Sequence, residues 1–129
     1  MIYLDNAATT PIDPRVTEAM LPWLAENYGN PSSVHETGRK AKVMLEDTRD
    51  LFAEFIGAKS SEIFFTSGGT ESNNFAIKGI AFNNLGRKDH IITTSIEHSA
   101  VIDTAEYLSS RFGFMVTYLK VNRYGEINI

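Results

Sequence analysis

The sequence has 129 residues, of which 43% are hydrophobic and 22% are charged, with a formal net charge of −4 and no cysteine. These values are typical of a single soluble domain, and they exclude disulfides, thiolate metal sites and a basic nucleic-acid-binding surface. Because no apolar stretch reaches the roughly 20 residues of a membrane-spanning helix, we expect a cytoplasmic protein without nucleic-acid or membrane partners. No histidine or carboxylate pair has metal-ligand spacing, so no metal site is expected.

The first half of the chain is predicted to be mostly helical. A short strand and a polar loop at the start precede a first helix that ends near Leu24, with Pro22 as a potential interruption. A second helix is predicted from about His35 to Ile56, because apolar residues recur at helical spacing and Gly57 follows as a stop signal. We therefore define residues 1–60 as an N-terminal helical arm.

The second half of the chain alternates strands with helices. Strands are predicted at residues 62–66, 90–94 and 114–119, with helices between them over residues 71–83 and 99–111. This alternation predicts an α/β fold with a parallel, helix-covered sheet. Residues 61–129 would then form the start of an α/β domain that is incomplete. Its core is expected to contain Phe64, Phe65, Phe75 and Phe82.

The most informative segment is the turn Ser67-Gly68-Gly69-Thr70 between a predicted strand and a predicted helix. Backbone N–H groups at a helix N-terminus lack intrahelical partners and carry about half a positive charge, so they attract anions. The glycines allow close approach, and the hydroxyls of Ser67 and Thr70 add donors. Taken alone, the pattern more often marks a simple capped turn, and it does not match the glycine fingerprints of nucleotide-binding loops. Glu71 is expected to point away from a bound anion.

A second candidate residue, His98, follows the next predicted strand. Ligands of parallel α/β sheets gather at the carboxyl ends of the strands, so His98 and Gly69-Thr70 are predicted to share that edge. A neutral imidazole there could stack on a flat heteroaromatic ring or transfer protons. Spacing alone equally allows His98 to cap the helix that starts at Ser99. His35 and His90 are expected to be structural or exposed.

Four blocks of the sequence carry a more specific signal. They are Tyr3-Leu4-Asp5-Asn6-Ala7-Ala8-Thr9-Thr10-Pro11, Gly29-Asn30-Pro31-Ser32-Ser33-Val34-His35, Phe65-Thr66-Ser67-Gly68-Gly69-Thr70-Glu71-Ser72-Asn73-Asn74 and Ile96-Glu97-His98-Ser99-Ala100-Val101. In this order and spacing they resemble cysteine desulfurases of the NifS/IscS type, within the class-V aminotransferase family. The resemblance runs from Ile2 to about Ile129 and corresponds to the N-terminal portion of such an enzyme.

This resemblance implies a fold, a cofactor and a reaction. The fold is type I of the pyridoxal-phosphate (PLP) transferases, of which the chain would form part of the large domain, in a homo- or hetero-oligomer. Gly69 and Thr70 would hold the phosphate of PLP, and His98 would stack on its ring and act in catalysis through proton transfer. The reaction takes sulfur from L-cysteine and leaves alanine and an enzyme persulfide. The persulfide serves iron–sulfur cluster assembly or thiolation, with sulfur-acceptor or scaffold proteins as partners.

Several residues that the resemblance implies do not occur in this sequence. There is no Ser-x-His-Lys block for covalent (Schiff-base) attachment of PLP, and there is no cysteine to accept sulfur. The chain is therefore expected to be inactive alone and to need a second chain that carries the C-terminal part. Two alternatives stay open: a non-catalytic module that binds phosphate or a desulfurase, and a related PLP-dependent lyase or aminotransferase.

Overall fold

The structure, a computed structural model, describes residues 2–127, and these residues form four α-helices, one 3₁₀ helix and two β-strands. The chain divides into two compact units, Met1–Phe64 and Phe65–Ile129. The domain boundary placed at residue 60 from the sequence remains a prediction. Within residues 2–127, no helix has both the length and the apolar character needed to cross a membrane.

The first unit is built on two helices, α1 (Pro14–Ala25) and α2 (Glu36–Ile56). Both predicted helices are confirmed, and α1 continues through Pro22. Because proline lacks an amide hydrogen, Pro22 cannot donate to the Glu18 carbonyl one turn earlier, and its ring crowds that carbonyl, which weakens the helix at this point. The Pro22 carbonyl still accepts hydrogen bonds from the amides of Glu26 and Asn27, and these bonds close the end of α1.

Side chains cap the N-termini of both helices. The Asp13 carboxylate accepts a hydrogen bond from the Arg15 amide at 2.9 Å and pairs with the Arg15 guanidinium, which lowers the pKa of Asp13. The His35 Nδ1 atom accepts one from the Gly38 amide at 3.3 Å, so His35 is a helix-capping residue. At the other end of α2, Gly57 has a φ of 68°, the left-handed conformation that commonly ends a helix.

The apolar side chains of the first unit stay largely exposed. Leu21 and Leu24 of α1 are 57% and 70% exposed, and no residue of α1 is buried. Between α1 and α2 lies an open groove of about 860 Å³, whose apolar walls include Val16, Met20, Trp23, Met44 and Leu51. Two helices alone offer each other too little surface to bury such side chains, so the unit presents an apolar area of the kind that marks interaction surfaces.

The second unit contains a parallel pair of strands, β1 (His90–Thr94) and β2 (Met115–Leu119), which are connected by α4 (Ser99–Phe112). All five residues of each strand are paired in register. A further helix, α3 (Gly69–Asn83), packs against α4. The predicted parallel α/β arrangement of these four elements is confirmed.

The strand predicted at residues 62–66 is wrong. Ser60–Glu62 form a 3₁₀ helix, and residues 63–66 belong to no helix or strand, although the backbone of Ile63 is extended. A strand needs a paired neighbour as well as β-forming residues, and the sheet within residues 2–127 contains only β1 and β2. The strand predicted at the start of the chain is also absent from residues 2–4, while Met1 lies outside the described residues.

The core of the second unit is small. Ala81, Leu108 and Phe114 form its buried cluster, with Ile77 and Ile91 packed against it. The prediction that four phenylalanines belong to the core is wrong, because they are 62%, 45%, 56% and 43% exposed at Phe64, Phe65, Phe75 and Phe82. Two strands and two helices enclose little interior volume, so few large side chains can be removed from water.

Candidate functional site

Helices α3 and α4 lie side by side and begin at the same end of the second unit. A cleft of about 280 Å³ between them is lined turn by turn, by Thr70, Asn74 and Lys78 from α3 and by Ser99, Ala100, Asp103, Thr104 and Tyr107 from α4. The first turns of both helices therefore border one cleft. That Gly69-Thr70 and His98 share the carboxyl edge of a sheet stays a prediction, since no strand within residues 2–127 precedes α3.

The N-terminus of α3 has no side-chain cap, whereas α1, α2 and α4 all have one. Within the described residues, the amides of Gly69, Thr70 and Glu71 find no acceptor, and the first helical hydrogen bond runs from the Ser72 amide to the Gly68 carbonyl at 3.0 Å. A β-carbon built on Gly68 or Gly69 would meet no atom within 4 Å. Bare amides beside open space suit an anion such as a phosphate group.

The turn before α3 is held in place by side chains of the first helical turn. Glu71 Oε2 accepts hydrogen bonds from the Ser67 amide at 2.6 Å and from the Ser67 hydroxyl at 2.7 Å. The Ser72 hydroxyl donates to the Gly68 carbonyl at 3.2 Å and lies 2.6 Å from the Thr66 hydroxyl. The prediction that Ser67 offers its hydroxyl to an anion is wrong, because that hydroxyl already donates to Glu71.

The charge of Glu71 is part of this arrangement. Hydrogen bonds from the Ser67 amide and then from its hydroxyl lower the pKa of Glu71, because both stabilise the carboxylate over the acid. The side chain thus turns back onto Ser67 as an anion. It orders the turn and leaves the amides of Gly69 and Thr70 without acceptors.

His98 is the cap of α4. Its Nδ1 atom accepts a hydrogen bond from the Ala100 amide at 3.0 Å, and its carbonyl accepts bonds from Val101 and Ile102 at 2.8 and 3.2 Å. A ring nitrogen that accepts carries no proton, so the neutral ring bears its proton on Nε2. The capping role that the sequence left open is therefore present, and the exposed ring keeps its faces and its Nε2–H edge accessible.

The remaining histidine has a structural contact of its own. His90 Nε2 lies 2.8 Å from the Thr117 hydroxyl, across the pair of strands. Within residues 2–127, no group of three or more histidine, aspartate or glutamate side chains is arranged to hold a metal ion.

The contact between α3 and α4 includes one polar pair that the sequence does not predict. The Thr104 hydroxyl shares its one hydrogen between Asn74 Oδ1 at 3.0 Å and the Ala100 carbonyl at 2.7 Å, and Thr104 is 3% exposed. A weak signal exists in the sequence, since Asn74 follows Thr70 by four residues and therefore shares its helix face. Its partner is 30 positions away along the chain, which no local pattern indicates.

The fold and this site agree with a known family. The family model for class-V aminotransferases matches residues 2–129. The chain belongs to the class-V aminotransferase family. A similar relative is the cysteine desulfurase IscS of Methanosarcina thermophila, which is 53% identical over 127 residues that cover 98% of this chain and 31% of that protein. The chain thus spans less than a third of the length of this relative, and the resemblance to cysteine desulfurases is confirmed.

Solved structures confirm the fold of this class-V aminotransferase chain. A NifS-like protein matches it with a TM-score of 0.83 and 47% identity, over 92% of this chain and 32% of that one. A second structure, SspA in complex with cysteine, matches with a TM-score of 0.79 and 47% identity, over 90% of this chain and 33% of that one. The chain therefore has part of the type I fold of PLP-dependent cysteine desulfurases.

Proposed function

We propose that this chain is part of a PLP-dependent cysteine desulfurase and supplies one wall of its cofactor site. In this proposal Gly69 and Thr70 hold the phosphate of PLP, and His98 lies against its pyridine ring. The whole protein takes sulfur from L-cysteine and leaves alanine and a persulfide for iron–sulfur cluster assembly or thiolation. The observation that carries the proposal is the uncapped N-terminus of α3 beside the His98-capped N-terminus of α4.

The residues at the start of α3 fit a phosphate group. They offer the amides of Gly69, Thr70 and Glu71 and the Thr70 hydroxyl, with open space at the two glycines. The helix end contributes only about half a positive charge, while a phosphate ester carries up to two negative charges. Lys78 lies 4.8 Å above the ring of Tyr107. Further phosphate ligands are therefore expected from the other residues that complete the cofactor site.

When bound, PLP supplies an electron sink for the substrate carbon next to the amino group. The residues of this chain bind and orient. The first turn of α3 anchors one end of the cofactor, and His98 holds a proton at Nε2 because Nδ1 is occupied by the Ala100 amide. The helix cap also fixes the ring plane, so His98 meets a flat ligand without first losing rotamer freedom.

Two groups that the proposed reaction needs are absent from this sequence. It contains no cysteine and no Ser-x-His-Lys block, so the sulfur acceptor and the lysine that attaches PLP belong to other residues of the protein. A second chain or further segment with these residues, an oligomeric assembly, a sulfur-acceptor protein and a cytoplasmic location are parts of the same proposal. L-Cysteine as substrate is supported by the names of the relatives and by the complex of SspA with cysteine.

The experiment that tests the proposal follows alanine release from L-cysteine by the intact protein with added PLP. We expect alanine to form, and we expect Thr70→Val to weaken PLP binding by about tenfold through loss of a hydroxyl donor to a charged group. The matched control is Thr48→Val, which removes a hydroxyl bonded to the Met44 carbonyl within α2 and leaves PLP binding unchanged. The proposal would be contradicted if no alanine is released, or if Thr70→Val leaves the dissociation constant for PLP unchanged.

A further inference from the structure

A series of hydrogen bonds, joined through the backbone of Ala100, connects the first turns of α3 and α4. Asn74 Nδ2 donates to the Thr70 carbonyl at 3.0 Å, and Asn74 Oδ1 accepts from the Thr104 hydroxyl at 3.0 Å. The Thr104 hydroxyl also lies 2.7 Å from the Ala100 carbonyl, and the Ala100 amide donates to His98 Nδ1 at 3.0 Å. The series therefore begins at one of the two proposed cofactor contacts and ends at the other.

Thr104 is unusual in its surroundings. It is the buried polar side chain of residues 2–127, whereas its neighbours in α4 are apolar, with Ala100 at 6% and Ala105 at 1% exposure. Alanines let two helices approach closely, but a smooth apolar contact resists sliding along the helix axis only weakly. One residue of helix rises about 1.5 Å, while a hydrogen bond tolerates a few tenths of an ångström. A buried polar pair therefore fixes the relative level of two helices.

We propose that Asn74 and Thr104 are positioning residues. They fix how far α3 is displaced along its axis relative to α4, and so set the distance between Thr70 and His98. This inference rests on the proposed function, in which one ligand touches both residues. The affinity of a ligand that reaches from the amides of α3 to the ring of His98 depends on the distance between them. The affinity of a ligand that touches only one of the two does not. The pair therefore controls the affinity for PLP and leaves the affinity for either half of it unchanged.

The test measures dissociation constants of the intact protein for PLP, for pyridoxal and for inorganic phosphate. Thr104→Val keeps the shape of the side chain and removes the hydroxyl. We expect it to raise the dissociation constant for PLP by about tenfold and to leave those for pyridoxal and phosphate within about twofold. Thr104→Ser, which keeps the hydroxyl, is expected to restore PLP affinity to within about threefold of the original protein.

Thr48→Val is the matched control for this series. The Thr48 hydroxyl donates to the Met44 carbonyl at 2.8 Å, in the same geometry within one helix as the shared bond from Thr104 to the Ala100 carbonyl at 2.7 Å. Within the described residues, the Thr48 hydroxyl makes no hydrogen bond to a side chain of another helix, whereas that of Thr104 reaches Asn74 of α3. We expect no change in any of the three dissociation constants.

The outcomes separate the inference from the proposed function. If Thr104→Val binds PLP as tightly as the original protein does, the positioning role is overturned while the cofactor site stands. If the original protein does not distinguish PLP from pyridoxal, the proposed function fails and the inference fails with it. Should Thr104→Val not fold, Asn74→Ala removes the other partner and is expected to give the same PLP-specific loss. An equal loss for all three ligands would overturn the inference, because it indicates general destabilisation.

Discussion

The two units of the chain differ in how far they enclose their own apolar side chains. In the second unit, Leu108 and Phe114 are 0% and 3% exposed beneath α3, α4 and the strands. In the first unit, the buried helix residues are Gly38 and Ala53, and an open apolar groove runs between α1 and α2. A sheet with a helical layer creates an interior, whereas two helices alone do not.

This difference indicates which unit can hold two ligand-binding groups at a defined distance from each other. The bare amides of α3 and the cap of α4 belong to the unit that has its own core and a buried interhelical hydrogen bond. Their spacing is therefore defined by contacts inside that unit. The first unit leaves its apolar groove open, so less interior packing defines a spacing there.

The largest effect that sharpens this comparison is expected for Leu108→Ala. Leu108 is fully buried, at 0% exposure, so its truncation leaves a cavity and is expected to cost about 2–5 kcal/mol of unfolding free energy. Leu24→Ala is the control in the first unit, where the side chain is 70% exposed, and it is expected to cost less than about 0.5 kcal/mol. Urea denaturation of this chain measures both. Equal costs would mean that the two units are packed alike.

A smaller effect is expected at Gly38, a tightly packed position of the first unit. A β-carbon on Gly38 would lie 2.5 Å from the Ser33 carbonyl oxygen and 2.7 Å from that of Asn30. Gly38→Ala is therefore expected to destabilise the protein by about 1–3 kcal/mol through a backbone clash. Gly79→Ala in α3 meets no atom within 4 Å and is expected to stabilise it by about 0.5–1 kcal/mol through helix propensity.

Thermal unfolding of the two glycine variants decides this prediction. Opposite signs of the change in melting temperature are expected. A neutral Gly38→Ala variant would contradict the prediction, because it would show that the turn over the start of α2 yields without cost.

The smallest effect concerns pH. The folded pKa of Glu71 lies below its ordinary value of 4.5, because Ser67 donates to the carboxylate. Its contribution to stability is therefore complete above pH 4.5 and is lost as the pH falls through the lowered folded pKa. Glu71→Gln is expected to flatten this part of the pH profile in the second unit. Urea midpoints measured from neutral to acidic pH check it, and an unchanged acid slope would contradict it.

Asp13 provides the matching test in the first unit. Its pKa is lowered by the side-chain hydrogen bond and then by the amide hydrogen bond from Arg15. Asp13→Asn keeps an oxygen that can cap α1 and removes the titration. We expect it to reduce the acid dependence of the first unit and to leave the amide-exchange rates of the α3 turn unchanged. A change at α3 would show that the Asp13 cap of α1 is coupled to the turn before α3.

Local signals account for most of what the sequence predicts correctly. The helices and the strands β1 and β2 follow from periodicity, caps and stop signals that lie within a few residues of each element. The strand at residues 62–66 fails because pairing is a non-local property, and β-forming residues supply only the conformation. The expected burial of four phenylalanines fails for a related reason, since burial depends on how many layers surround a side chain.

In the candidate site, too, the local features could be predicted from the sequence and the non-local ones could not. The turn at Gly69-Thr70 and the loop of His98 are visible as short motifs, but the parallel-sheet rule that predicts a common edge for them assumes a strand at residues 62–66 that does not form. The engagement of Ser67 by Glu71 and the contact between Asn74 and Thr104 depend on side-chain directions that only coordinates provide. The sequence therefore indicates where a ligand would bind, and the structure indicates which donors are available to it.

The most direct measurement is the amide NMR spectrum of the intact protein during titration with PLP. The account predicts chemical-shift changes and slower hydrogen exchange at the amides of Gly69, Thr70 and Glu71, together with shifts of the His98 ring. The capped amides at the start of α2 are expected to stay unchanged. Binding of PLP without any response of the three amides at the start of α3 would contradict the account.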